Sequence, residues 1–419
     1  MKVLAFFGYY KPEIFSSSYI VDNYIEAFLY SNFSVVIIAP TPTRGVNYSL
    51  RFFKKRLRYE TSHEGQLCVY RFLLMKEGRS SLSRGFRYCL SCIMYFFYGL
   101  FLKNVSASDL LFVDSTPPIL GAVGVLVKKI RRIPMVYNLQ DIFPDSLVAT
   151  GLTRKESLLW RIGRVIENFT YRNADKIIVI SQDFKKNIMN KGVPESKIEV
   201  IYNWVDEKAV VPISRNDNKL FDELGLSRDL FYVVYAGNLG HAQNIELVIE
   251  AARNLMDYET IRFIVFGSGG LEKELKRKIS NLKINNLLFF PIQNYDKTSE
   301  VYSIGNIAIV SCKQGLGTSA MPSKTWSIMS TGTAILANFD IDTELQNIIE
   351  GQKVGLFTEA GDIDKFVEAI LYLYRNPNKC DEYGINGRNF ILNNLTREIG
   401  TSKYVEVLES VIRNNNINK

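Results

Sequence analysis

The feature that most constrains this chain is a rhythm. Short apolar, β-rich runs alternate with helix-length amphipathic stretches, and the rhythm runs twice. The first series of runs is 3–7, 35–39, 68–72, 110–113, 135–138, 177–181 and 199–202. Helix-length segments such as 19–31 and 157–172 fall between them. The second series is 231–236, 262–266, 287–290, 307–310, 334–337 and 355–357, with helical stretches at 245–255 and 271–281 between. Strands that alternate with helices imply βαβ units and parallel sheets. A polar segment at 211–229, marked by Pro212, Ser214, Asn216, Asp217 and Asn218, separates the series and reads as the linker. The expectation is α/β: two Rossmann-like, doubly wound domains facing across a cleft. The expected spans are 1–205, 206–395, and a terminal helix with its tail at 396–419. At 419 residues the chain is long enough for two or three cores.

Composition excludes several classes. Two histidines, His63 and His241, make a His-based metal site improbable. Cys68, Cys89, Cys92, Cys312 and Cys380 are odd in number and sparse, so free buried thiols in a reducing compartment fit better than disulfides. The opening Met-Lys-Val-Leu-Ala-Phe-Phe run is too short for a secretory leader and reads as a first strand.

The net charge of +8 is concentrated. Residues 44–103 hold twelve Lys/Arg against three Asp/Glu, and the remainder is close to neutral. That points to a localised surface facing something anionic. Within it, residues 88–102 are nearly all apolar, yet fewer than the ~20 that a membrane span needs. Two readings stay open: a buried helix, or a helix lying in the lipid interface beside Arg51, Lys54, Lys55, Arg56 and Arg58. No nucleic-acid recognition motif is present.

Chemistry concentrates at strand ends, where doubly wound sheets bind ligands. The run 231–236 leads into Gly237-Asn238-Leu239-Gly240, then His241, Gln243 and a helix. Such a turn exposes backbone N–H groups at a helix N-terminus and receives phosphate. Gly267-Ser268-Gly269-Gly270 follows the next strand, without the spacing of a dinucleotide fingerprint. Ser319-Ala320-Met321-Pro322-Ser323-Lys324 opens a further helix that continues through Ser327. Ser319 or Ser323 is a candidate cap, and Lys324 adds a cation beside the amides, so this is a candidate diphosphate cradle. The alternative is an ordinary capped helix with a surface lysine. In the first series, Gln140 and Asp141 follow the strand at 135–138; a carboxylate there can orient or deprotonate a hydroxyl, or simply cap a helix.

On these residues the chain resembles the family-4 glycosyltransferases of the GT-B fold. It looks most like the branch that makes O-antigen, capsule and colanic-acid sugars, including fucosamine-transferase-like members. The matching stretches are Tyr10-Lys11-Pro12-Glu13, Ser115-Thr116-Pro117-Pro118, Gln140-Asp141-Ile142-Phe143-Pro144-Asp145, Asn203-Trp204-Val205-Asp206, Tyr235-Ala236-Gly237-Asn238 and Met321-Pro322-Ser323-Lys324-Thr325.

The resemblance implies a UDP-sugar donor on the second domain, an undecaprenyl-diphosphate-linked acceptor met by the first, retention of configuration, and no cofactor or obligatory metal. It implies catalytic roles for Asp141, Gln140 and Lys324. Donor contacts would come from Gly237, Asn238, His241, Gln243, Gly267, Pro291, Ser319, Ser323 and Ser327, and acceptor contacts from Glu13 and Ser17. It also implies that the helix at 397–413 crosses back onto the first domain. Localisation follows as cytoplasmic, peripheral at the inner face of a bacterial plasma membrane. The chain departs from the broad family at Gln140 (often His), at Asn238 and Gln243 (often Arg and Lys), and at Ser319 and Ser327 (often Glu). Two rivals remain: a non-hydrolysing sugar-nucleotide epimerase and a non-catalytic basic membrane-docking protein.

Overall fold

The computed structural model describes residues 1–13, 18–43, 58–75, 81–149, 151, 153–319 and 321–417. Two compact units divide the chain: residues 1–202 with 398–419, and residues 203–397.

The first unit holds β1 (Lys2–Phe6), α1 (Ser18–Tyr30), β2 (Ser34–Pro40), β3 (Tyr59–Ser62), β4 (Leu67–Phe72), α2 (Ser81–Phe101), β5 (Leu110–Asp114), α3 (Leu120–Arg131), β6 (Met135–Leu139), α4 (Asp145–Ala149), α5 (Leu158–Asn173), β7 (Lys176–Val179), α6 (Gln182–Asn190) and β8 (Ile198–Val200). Its sheet order is β3-β4-β2-β1-β5-β6-β7-β8, parallel except for β3 on β4. The central strands are buried on both faces, which is why they read as unbroken apolar runs. The order reverses beside β1, so the switch point of the sheet lies between β1 and β5.

The second unit holds α7 (Leu220–Glu223), β9 (Phe231–Asn238), α8 (Ile245–Asn254), β10 (Ile261–Ser268), α9 (Glu272–Asn281), β11 (Leu287–Phe290), α10 (Thr298–Ser303), β12 (Ile307–Ser311), α11 (Lys324–Ser330), β13 (Ala334–Phe339), α12 (Glu344–Gly351), β14 (Gly355–Glu359), α13 (Ile363–Arg375) and α14 (Pro377–Asn394). Its sheet, β11-β10-β9-β12-β13-β14, is wholly parallel, and its switch point lies between β9 and β12. The terminal helix α15 (Arg397–Ile417) joins the first unit from Glu398 onward. Its Tyr404 ring stacks on Tyr24 of α1 at 5.0 Å.

Two expectations need adjustment, and one strand had no expectation at all. The polar segment 211–229 is no free linker but part of the second unit. The Val211 and Ile213 amides donate to the Ser299 and Ser303 hydroxyls at 2.9 and 3.1 Å, and the Asn218 amide donates to the Glu300 carbonyl at 2.7 Å. Strand β3 is a polar edge strand with no apolar alternation to announce it; it is held by pairing to β4 and by the Tyr59–Tyr70 ring contact at 4.8 Å. The apolar run 88–102 lies mostly in α2, which is neither fully buried nor fully exposed: Tyr95 and Gly99 face inward, while Ile93 and Phe97 face solvent. Arg51, Lys54, Lys55 and Arg56 lie outside the described residues.

Helix α11 is clamped by α14. A Cβ on Gly384 would stand 1.9 Å from the Gly332 carbonyl oxygen, so only glycine allows this crossing. Four residues on, the Arg388 guanidinium donates to the Ser330 carbonyl at 3.0 Å and to the Ser330 hydroxyl at 2.8 Å, holding the C-terminus of α11. Gly384→Ala is expected to destabilise the protein by about 1–3 kcal/mol, the usual cost of overpacking. Urea unfolding measures it, and an unchanged midpoint would contradict the clamp.

Candidate active site

At the carboxyl ends of β9 and β10, strand pairing sets Gly237 beside Gly267 and Asn238 beside Ser268. Lys324 opens α11, the helix after β12. The Lys324 ammonium lies 3.8 Å from the centroid of the Tyr235 ring. A Cβ on Gly237, whose φ is +142°, would lie 3.1 Å from that Nζ. Glycine therefore makes room for the lysine head and supplies the backbone angle. The Nζ is buried and has no hydrogen-bond partner among the described residues. Burial without a counter-charge lowers its pKa from 10.5 to about 7.

Around this cation the turns are braced. The Tyr235 hydroxyl donates to the Asn238 carbonyl at 2.8 Å. The Gln243 amide oxygen accepts from the Gly240 N–H at 3.2 Å, so Gln243 folds back on its own turn. His241 is exposed beside it, as are Asn238 and Lys313. The Lys313 amide donates to the Ala242 carbonyl at 2.9 Å, tying the loop after β12 to the turn after β9. Asp340 holds the other side of that loop, accepting from the Gly315 and Gly317 amides at 2.9 and 2.7 Å. Asp340 was not foreseen; its signal is only that a carboxylate directly follows the apolar strand β13.

The remaining donor-side candidates spread along this edge. Pro291 is exposed just past β11. Ser327 is half-buried one turn into α11. Ser323 precedes α11, but its side chain caps nothing, because its backbone already has helical angles. Pro322 lies one residue before that cap position. The Ser319 side chain lies outside the described residues.

In the first unit the strands β5 and β6 end in a polar chain. The Asn138 amide donates to Asp114 Oδ1 at 3.0 Å, and the Tyr404 hydroxyl donates to Asn138 Oδ1 at 2.9 Å. The Gln140 side chain donates to the same Asn138 oxygen at 3.0 Å, and its backbone N–H donates to the Ser115 hydroxyl at 2.9 Å. Burial pushes the Asp114 carboxyl up to about 7 despite its hydrogen bonds. Asp114 and Tyr404 escaped the sequence reading. Asp114 had a signal, a carboxylate closing an apolar strand before the Ser115-Thr116-Pro117 turn; Tyr404 had none.

Asp141 follows Gln140 and presents an exposed surface, but protein atoms crowd its carboxyl. That desolvation raises its pKa, against lowering hydrogen bonds from Ser146 and the Ile142 amide. A raised carboxylate is suited to taking up a proton. Glu13 is buried, its Oε1 accepting from the Thr43 amide at 2.5 Å and hydroxyl at 3.2 Å. Ser17 lies outside the described residues. Among the described residues no group of three or more His, Cys, Asp or Glu could hold a metal ion.

The fold is that of the GT-B glycosyltransferases. The group 1 glycosyl transferase model matches residues 216–390, and the Glycosyltransferase Family 4 model matches residues 79–209. The chain carries both of these domains, one per unit. WcaI of Escherichia coli strain K12, named as a glycosyl transferase of colanic acid biosynthesis, is 25% identical over 359 residues. That match covers 84% of this chain and 86% of WcaI. The structure of HepE from Anabaena, in complex with UDP, superposes with a TM-score of 0.72 at 16% identity, covering 98% of this chain and 100% of HepE. Sucrose-phosphate synthase of Thermosynechococcus elongatus gives 0.72 at 13% identity, covering 98% and 99%.

The sign of the lysine effect makes a test. Between about pH 7 and 10.5 the unfolded chain keeps a proton that folded Lys324 has lost, so stability rises with pH across that window. Below pH 7 the buried cation lowers stability in full. Lys324→Met should melt at a higher temperature than the parent at low pH, with the gap shrinking as the pH rises. Scanning calorimetry across that window measures it; parallel curves would contradict an unpaired buried ammonium.

Proposed function

We propose that the protein transfers a sugar from a UDP-sugar to a lipid-linked saccharide during synthesis of a bacterial surface polysaccharide, with retention of configuration. One observation carries the donor half: a buried ammonium with no hydrogen-bond partner among the described residues, beside Gly237 and over the Tyr235 ring, at the switch point of the second sheet. A diphosphate would supply the missing counter-charge. The UDP held by HepE and the naming of WcaI for colanic acid synthesis support the donor class and the pathway class. The finer reading takes an N-acetylated amino or deoxyamino sugar as the donor group, and O-antigen-type material as the product.

In this reading Lys324 and nearby backbone amides neutralise the departing diphosphate, without a metal. The leaving phosphate oxygen takes the proton of the acceptor hydroxyl on the face where the new bond forms. Asp141 and Gln140 orient that hydroxyl; Gln140 is held in place by Asn138 and Ser115.

A UDP-sugar panel with a lipid-diphosphate-linked acceptor, read by mass spectrometry, tests the proposal. UDP release that depends on acceptor supports it; sugar interconversion without acceptor would indicate an epimerase instead. Lys324→Ala should lower kcat/KM by roughly 10²–10³-fold, the scale of losing one transition-state charge stabiliser. Near-parental kinetics would remove Lys324 from the mechanism. Asp141→Asn should slow transfer while UDP affinity, measured by calorimetry, stays unchanged; a parallel loss of both would contradict its acceptor-side role.

A further inference from the structure

The helices α2, α3 and α5 follow β4, β5 and β6, and right-handed crossovers lay them side by side on one face of the first sheet. Contacts lock them together. The Arg131 guanidinium of α3 donates to the Gly99 and Leu100 carbonyls of α2 at 2.5 and 2.7 Å. The Lys128 ammonium of α3 donates to the Asn173 carbonyl at the end of α5 at 2.7 Å.

Each helix turns one apolar stripe toward the sheet, as expected. Each also turns apolar side chains outward. On α2, Ile93 and Phe97 are half exposed, and Phe86 and Phe101 are 61% and 74% exposed. On α3, Ile130 is 59% exposed beside Leu126. On α5, Val165 is 68% exposed, one turn from Ile162. Single exposed apolar residues are ordinary, whereas three neighbouring helices with apolar outer stripes mark an interaction face.

Charge identifies the occupant. The only carboxylate within these three helices is Glu167, and it is buried against Arg164 and Lys191. Among the described side chains, the exposed charges on the helices and at their ends are basic at Lys129, Arg161, Arg172, Lys103, Arg132, Arg154 and Lys155, and the two exposed carboxylates flanking α5 are paired, Glu156 with Arg161 and Asp175 with Lys128. A second copy of this face would set basic rim against basic rim. An anionic bilayer complements both parts: acyl chains for the stripes, phosphates for the rim. Helix α2, at 21 residues about 31 Å long, would lie flat. Among the described residues no helix is long and apolar enough to cross a membrane.

We infer that the outer face of α2, α3 and α5 docks on an anionic lipid surface, with Phe97, Phe101 and Ile130 in the interface. This rests on the reading that the acceptor is lipid-linked, and it goes beyond the basic segment at 44–103 by naming an apolar face that inserts. Salt should therefore weaken binding without abolishing it.

Co-sedimentation of the full chain with vesicles of phosphatidylcholine, alone or mixed with phosphatidylglycerol, across a salt series, tests it. The parent should bind the mixed vesicles and keep part of that binding at high salt. Phe97→Ser combined with Phe101→Ser and Ile130→Ser should weaken vesicle binding at least tenfold while UDP affinity stays at the parental value. Phe97→Trp should show a blue-shifted emission on mixed vesicles. No parental binding, undiminished binding of the triple variant, or an unshifted tryptophan would overturn the inference. So would a parental dimer that the triple variant converts to monomer, which would make the face a self-association surface. Vesicle binding is read without donor or acceptor, so a chain that docks but transfers no sugar would refute the proposed reaction and leave the docking face standing.

Discussion

A lysine ammonium buried with no counter-charge among the described residues is the constraint on which the second unit depends. Desolvating a cation is unfavourable, and the pKa of Lys324 falls to about 7 as a result. The fold holds the side chain there by force of geometry: Tyr235 lies under it, Gly237 leaves space for it, and α14 fixes the helix that carries it. Such a site is unfavourable while empty and favourable once an anion arrives. That is the pattern expected where binding energy is directed at a phosphate rather than at folding.

The first unit solves a different problem. Asn138, Gln140, Asp114 and Tyr404 form a hydrogen-bonded chain at the strand ends, and the terminal helix supplies its last member. Because Asn138 and Tyr404 are buried and bonded, the Gln140–Asp141 corner is fixed by neighbouring Asn138 and by groups from two distant stretches of chain, 114–115 and 404. Returning α15 to this unit therefore shapes the chemistry of the strand ends as well as burying Tyr404 against Tyr24.

Much of the architecture was readable because parallel strands buried on both faces leave continuous apolar runs, as at Leu110–Asp114 and Ile307–Ser311. Strand β3 was not, since an exposed edge strand needs no apolar pattern. The segment at 211–229 misled for a related reason: its polar residues look like a solvated linker but bond to α10 and its neighbours. Lys324 stood out from its place after a strand and a proline turn, yet nothing local showed that Tyr235 would lie beneath it. The sequence marks Gln243 only as a donor contact; that its side chain also closes its own turn had no local signal. Tyr404 and Asp340 act through partners remote in sequence, and single-sequence patterns carry no such pairing.

The central claim is that Lys324 awaits a diphosphate, and proton linkage tests it most directly. If the anion restores the charged form, binding must raise the lysine pKa. Calorimetric titration of UDP at about pH 8, in two buffers of different ionisation enthalpy, counts the protons taken up. The account predicts uptake approaching one proton per UDP bound, absent in Lys324→Met. UDP binding with no proton uptake by the parent protein would contradict it.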